Sequence, residues 1–189
     1  MPTPLEGGLL GLLARGGELS GWDLQKQAQT SIAYFWPFGR SQIYAALPRL
    51  ENDGLITGEQ VPQEGRPDKR LYRLTTVGRQ ALADWLHEYA VQPTRDAFLL
   101  KIFFAAHADR SSVRGLIGQR RAMAERLWDE LSQMSDSPDI DDFFHRLTRD
   151  FGHLWARCVV QWCDEALSSL DALDHERRST WDAPPPVHD

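Results

Sequence analysis

Only two of the 189 residues are cysteine, Cys158 and Cys163. Set five positions apart, they stand about 140° from each other around a helix and cannot pair. This excludes a disulfide-stapled secreted scaffold and fits a reducing cytoplasm. Long apolar runs are missing too: Leu9–Ala14 is far too short to span a bilayer and has no basic lead. Neither a membrane span nor a signal peptide is predicted. The six histidines form no recognised motif, and there is no phosphate-binding glycine loop or nucleophile elbow. Asp141, Asp142 and His145 offer a carboxylate and an imidazole at i, i+4. A metal centre needs more ligands than these, and an acidic first helical turn accounts for them more simply. No enzyme activity, metal or cofactor is expected.

Net positive charge is also lacking. The formal charge is −6, which speaks at first against a nucleic-acid partner. The charge is unevenly spread, however. Residues 1–90 hold nine Lys/Arg against ten Asp/Glu, residues 91–189 twelve against seventeen, and residues 39–79 seven against five. Phosphate binding needs a local basic footprint rather than a basic protein, so the first half is permitted as a DNA-binding unit. With 42% hydrophobic and 25% charged residues the chain reads as globular. Seven tryptophans favour large packed surfaces.

The chain divides near Val91-Gln92-Pro93-Thr94 into residues 1–90 and 91–174, and a Pro-rich tail over 175–189 is predicted to be disordered. Pro4–Arg15 reads as a helix closed by Gly16-Gly17. Ser20 reads as the N-cap of a second helix, with Asp23 as its box partner and Leu19 and Leu24 as a hydrophobic staple. A third helix starts at Gly39 or Ser41. "GLITGEQV" and "KRLYRLT" are strand-like around a tip with two prolines and a glycine, which predicts a two-stranded hairpin. Three helices and a hairpin within about 75 residues is the layout of a winged helix-turn-helix, whose second motif helix enters the major groove.

That third helix lies within "WPFGRSQIYAALPRLENDGLI". At 100° per residue Ile43, Leu47 and Leu50 share one face, and Ser41, Gln42, Ala45, Ala46 and Arg49 are expected roughly opposite. Small residues there would admit a close approach to base edges. Gln42 is the candidate base reader, since its amide can bond an adenine edge bidentately. Arg49 is expected at a phosphate or guanine, with Arg40 and Tyr44 as edge contacts to phosphate. Arg66, between a glycine and a proline at the hairpin tip, suits a minor groove or the backbone, and Lys69 and Arg70 would neutralise phosphates.

"LLGLLARGGELSGWDLQKQ", "WPFGRSQIYAALPRLENDGLI" and "EGRPDKRLYRLTTVGRQAL" resemble, in order and spacing, the winged-helix domain of PadR-type transcriptional regulators. "PTRDAFLLKIFFAAH" and "RLTRDFGHLWARCVVQWCDEALSSL" are similar to the C-terminal part of the larger members. The resemblance implies a cytoplasmic homodimer that binds double-stranded DNA as a repressor and is relieved by a phenolic or other small aromatic effector. One departure stands out: where the family commonly has Pro after the helix Tyr, this chain has Ala45, and Pro48 follows three residues later. A proline inside a helix removes a hydrogen bond to the carbonyl four residues back, here Tyr44, and predicts a kinked or shortened recognition helix.

The fold class expected is therefore mainly α with a small β-hairpin: a winged helix-turn-helix followed by an α-helical dimerisation domain. From Ile140 to Leu173 apolar residues recur every three or four positions, a helix of about 52 Å at 1.5 Å per residue. A helix that long predicts a seam with a second helix. Phe151, Leu154, Trp155, Cys158 and Trp162 are the expected dimer contacts, in addition to a hairpin with the preceding helix. Trp22, Trp36, Trp128 and Trp155 are candidates to line an effector pocket. The alternative to a DNA-binding regulator is a winged-helix module that binds protein, which the acidic total favours slightly.

Overall fold

The computed structural model describes residues 1–62, 68–88, 95–134 and 140–181. The chain forms two compact units, Met1–Gln92 and Pro93–Asp189.

In the first unit, helix α1 (Pro4–Gly16) opens on a capping box between Thr3 and Glu6, with Pro4 at the first helical position where its missing N–H costs nothing. Strand β1 (Leu19–Ser20) leads into α2 (Gly21–Ser31). The box expected at Ser20 and Asp23 is formed: the Ser20 N–H donates to Asp23 Oδ2 at 3.0 Å, and the Asp23 N–H to Ser20 Oγ at 3.2 Å. Leu19 and Leu24 are both buried beside it. Helix α3 (Arg40–Asn52) follows, then strands β2 (Ile56–Val61) and β3 (Lys69–Leu74), then α4 (Thr76–His87). β2 and β3 run antiparallel, Ile56 opposite Leu74 and Val61 opposite Lys69. The hairpin gains a third strand that the sequence did not announce. β1 pairs with β3, Leu19 opposite Tyr72, to give the order β1-β3-β2. Two residues carry no alternation from which a strand could be read.

The core gathers Leu9, Leu10 and Leu13 of α1, Leu24 of α2, Ile43, Leu47 and Leu50 of α3, and Ile56 of β2. The ring of Trp85 on α4 lies where a Cβ on Gly7 would stand, 2.5 Å away, so only glycine lets α1 and α4 approach this closely. Two expectations for α3 are corrected. Ala46 is 0% exposed and belongs to the core, because it follows Ile43 by three and precedes Leu50 by four on the same face. Ala45 remains outside. Pro48 does not shorten the helix, which continues to Asn52. Pro48 sits on the exposed side, and the buried face of Ile43, Ala46, Leu47 and Leu50 holds the turn that its missing hydrogen bond weakens.

In the second unit, α5 (Ala97–Phe103) starts on the side chain of Asp96 and is followed by a 3₁₀ turn at Ala105–His107. Helices α6 (Arg110–Ser132) and α7 (Ile140–Trp181) form a hairpin. Arg114 pairs with Asp171 at 2.6 Å and Arg121 with Asp164 at 2.7 Å, while the Trp128 and His153 rings meet edge-on at 4.5 Å. Partner numbers fall on α7 as they rise on α6, so the helices are antiparallel. The residues buried in the hairpin include small ones: Ala124 on α6 and Gly152, Ala156 and Cys163 on α7, together with Ile117 and Leu131. Burial also pushes the Cys163 thiol pKa up. α7 spans 42 residues, about 63 Å, and runs past Leu173 into the stretch expected as tail. The Pro-rich residues 182–189, the hairpin tip with Arg66, and the side chains of Asp141 and Asp142 lie outside the described residues.

Candidate DNA-binding surface

Helix α3 turns Arg40, Ser41, Gln42, Tyr44, Ala45 and Arg49 to solvent. This is the side opposite its core contacts. Two of these groups are already held. Gln42 Oε1 accepts the Gly39 N–H at 2.9 Å and closes the helix N-terminus, so a base edge would compete with the cap for that oxygen. The Arg40 guanidinium stands 5.5 Å from the Tyr44 ring, and that ring covers Gly21 of α2. Together they form a ledge at the start of the helix.

Three of the cations expected at phosphates have carboxylate partners within their own unit. Lys69 Nζ lies 2.9 Å from Asp23, Arg70 Nη2 2.7 Å from Glu51, and Arg49 3.6 Å from Glu6. Arg73, which sequence reasoning did not single out, lies 3.3 Å from Glu18. Burial tends to raise the Asp23 carboxyl, but the bonds from Ser20 and Lys69 outweigh it, and the group titrates below its ordinary value of 3.8. The Glu51 bond raises the already high pKa of Arg70. Exposed ion pairs of this kind are weak, so a phosphate can draw Lys69 or Arg49 from its partner at little cost, whereas Glu51 is also held by the Gly58 N–H at 3.0 Å. No local pattern signals these pairs: Arg70 and Glu51 are 19 positions apart and Arg73 and Glu18 are 55 apart, brought together only by the tertiary fold.

On α7, Phe144, Leu147, Phe151, Leu154 and Cys158 form an exposed stripe at alternating spacings of three and four, with Phe151 71% and Leu154 56% exposed. Two of the expected seam residues are shared with the unit's own packing. Trp155 is half-buried with the Arg120 guanidinium 5.3 Å from its ring, and Trp162 meets Phe98 edge-on at 5.6 Å. Arg120 also bonds Asp96 at 2.6 Å, which fixes the start of α5 against this face. Of the tryptophans expected near an effector, Trp22 is exposed with Lys26 Nζ 5.3 Å from its ring, and Trp36 is exposed in the turn after α2. Trp128 borders a groove of about 470 Å³ with Asp150, His153, Leu154 and Arg157. His153 Nδ1 is buried there without a hydrogen-bond partner among the described residues. Among the described residues, no group of three His, Cys, Asp or Glu side chains could hold a metal ion, and no helix is long and apolar enough to cross a membrane.

Comparison with known proteins places this geometry. Residues 9–84 match the transcriptional regulator PadR-like family, and residues 94–171 match the virulence activator alpha C-terminal family. The negative transcriptional regulator PadR of Bacillus subtilis is 30% identical over 177 residues, 86% of this chain and 95% of the relative. The crystal structure of Bacillus subtilis PadR in complex with operator DNA superposes with a TM-score of 0.76 at 31% identity, covering 89% of this chain and 99% of that one. The same protein in complex with p-coumaric acid gives 0.71 at 30% identity, covering 88% and 98%. Both units are matched in sequence and in fold, and the chain belongs to the PadR-like family of transcriptional regulators.

Proposed function

We propose that this chain is a dimeric, cytoplasmic, sequence-specific DNA-binding repressor without enzymatic activity, whose two copies read a pseudo-palindromic operator. The observation that carries the proposal is its likeness, along nearly the full length of both chains, to PadR solved on operator DNA. The exposed side of α3 supports Arg40, Ser41, Gln42, Tyr44 and Arg49 as groove contacts. The position of Lys69 and Arg70 at the start of β3 supports a second footprint from the wing, which also includes Arg66. The apolar stripe of α7 supports a homodimer through Phe151, Leu154 and Cys158, flanked by Trp155 and Trp162.

The repressor is relieved by a small aromatic effector. The complex of Bacillus subtilis PadR with p-coumaric acid supports this. The groove beside Trp128, with a cationic Arg157 on its wall, supplies aromatic and anion-binding chemistry together.

Selection of duplexes from a random pool by the full chain tests the proposal. An enriched palindromic site, bound with a steep salt dependence, is the expected outcome. A protein-interaction module of the same fold would enrich nothing and would ignore random duplex even at low salt.

A further inference from the structure

We infer that Glu51 is a positioning residue for DNA recognition, whose carboxylate clasps the recognition helix to both strands of the wing and so sets the angle between the two DNA-reading elements. The inference rests on the DNA-binding reading above and adds a residue that acts without touching DNA.

The helix and the wing meet first at the root of the hairpin. Thr75 Oγ1 donates to the Gly54 carbonyl at 2.7 Å and the Thr75 N–H to the Leu55 carbonyl at 3.1 Å, while Ile56 and Leu74 are buried opposite each other. Above that root β3 is held on one side by β1, with Leu19 opposite Tyr72 and Ser20 opposite Leu71, and by Asp23 at Lys69. β2 is the outer strand and has only β3 beside it, and Glu51, in the last turn of α3, supplies a tie on that outer side. Its Oε1 accepts the backbone N–H of Gly58 on β2 at 3.0 Å and the Arg70 Nη2 of β3 at 2.7 Å. One oxygen atom therefore holds helix and both strands.

The clasp is built around the absence of a side chain. A Cβ on Gly58 would stand 2.6 Å from Arg70 Nε and 2.9 Å from Glu51 Oε1, so another residue there would push the partners apart. Tyr72, opposite Gly58 in the register, places its ring 5.8 Å from the Arg70 guanidinium and floors the site. β2 is the edge of the sheet, and the Gly58 donor that Glu51 occupies belongs to a backbone whose direction is fixed. A bond to such a donor constrains orientation, where a bond between two flexible side chains constrains only distance.

Charge and position make opposite predictions for Glu51. A carboxylate in a domain that approaches a polyanion weakens binding, so removing it by charge alone would tighten association with every sequence. Loss of the clasp instead lets the wing wander. Binding to the selected site, which needs helix and wing in register, falls, while association with random duplex does not.

Glu51→Ala and Glu51→Gln remove the same charge, but glutamine keeps an oxygen for Gly58 and Arg70. The test measures the full chain on a duplex selected from the random pool and on a random duplex of equal length. Glu51→Ala is expected to lower the specific-to-random affinity ratio by about tenfold, the effect of losing a charge-assisted bond. Random binding should be unchanged or tighter, and Glu51→Gln should restore most of the ratio. Gly58→Ala leaves every charge in place and drives a Cβ into the clasp; it should reproduce the loss, and it decides the matter if Glu51→Ala fails to fold by circular dichroism. Equal behaviour of the alanine and glutamine variants, or an alanine or Gly58→Ala variant with the native ratio, overturns the inference. A native chain that enriches no duplex overturns the DNA-binding reading itself, a different result read on a different protein.

Discussion

Asp23 shows how much one side chain decides in the first unit. It accepts the Ser20 N–H at 3.0 Å, the Ser20 hydroxyl at 2.6 Å and Lys69 at 2.9 Å. It thus opens α2 and tethers the first residue of β3. Because its folded pKa is depressed, the stability it contributes is fully present above its ordinary value of 3.8 and is lost as the pH falls through the folded value. Asp23→Asn should therefore destabilise the protein by about 1 kcal/mol at neutral pH, and urea denaturation of the two proteins should converge in acid. A gap that persists in acid would show that the carboxylate charge is not the cause. Gln42 poses the complementary question, since its oxygen caps the helix it is proposed to read from. If it also reads a base, Gln42→Ala should cost roughly 1–3 kcal/mol at one position of the selected site and leave random duplex nearly untouched. An equal loss on every sequence, measured by titration of site variants, would leave it only the capping role.

At the scale of elements, what was legible in the sequence is what is encoded locally. The box at Ser20 and Asp23, the end of α1 at glycine, and the Ile43–Leu47–Leu50 face all follow from residues within one turn of each other. Strand β1 was not legible, because a two-residue strand is made by its neighbour β3 and not by its own pattern. Ala46 was misplaced because alanine fits either a crowded core or a close surface, and only its spacing from Leu50 separates the two. The ion pairs of Lys69, Arg70 and Arg49 depend on the packing of separate elements that no window of sequence contains, so the carboxylate partners of these cations are not legible in it. That finding bears on the wing. Lys69→Ala should flatten the salt dependence of binding by up to about one unit if the lysine leaves Asp23 for a phosphate. A slope unchanged in a folded variant would keep Lys69 with Asp23 in the complex. The α6–α7 hairpin gives a separate element-scale test, since small residues are buried in it. Ala156 is fully buried, and Ala156→Leu should cost about 1–3 kcal/mol by overpacking, seen as an early calorimetric transition of the second unit.

At the scale of the whole molecule, the division of charge and apolar surface matches a division of labour. The second half carries the acidic excess and also the exposed stripe of α7, which water disfavours. Burying that stripe against a second copy would set two winged-helix units about one helical turn apart, ~34–36 Å, on a two-fold operator. Trp162 is a poor residue with which to test this, because it packs on Phe98 within its own unit. Phe151 and Leu154 are the cleaner choice, being largely exposed. Phe151→Glu with Leu154→Glu should yield a monomer by sedimentation while the melting of the first unit stays native. Two linked half-sites gain from effective concentration, so the monomer should lose about a hundredfold or more on the full operator. On a single half-site its affinity should match that of the native chain. A double variant that stays dimeric would place the interface elsewhere, and a monomer with native operator affinity would mean that each copy reads its site alone.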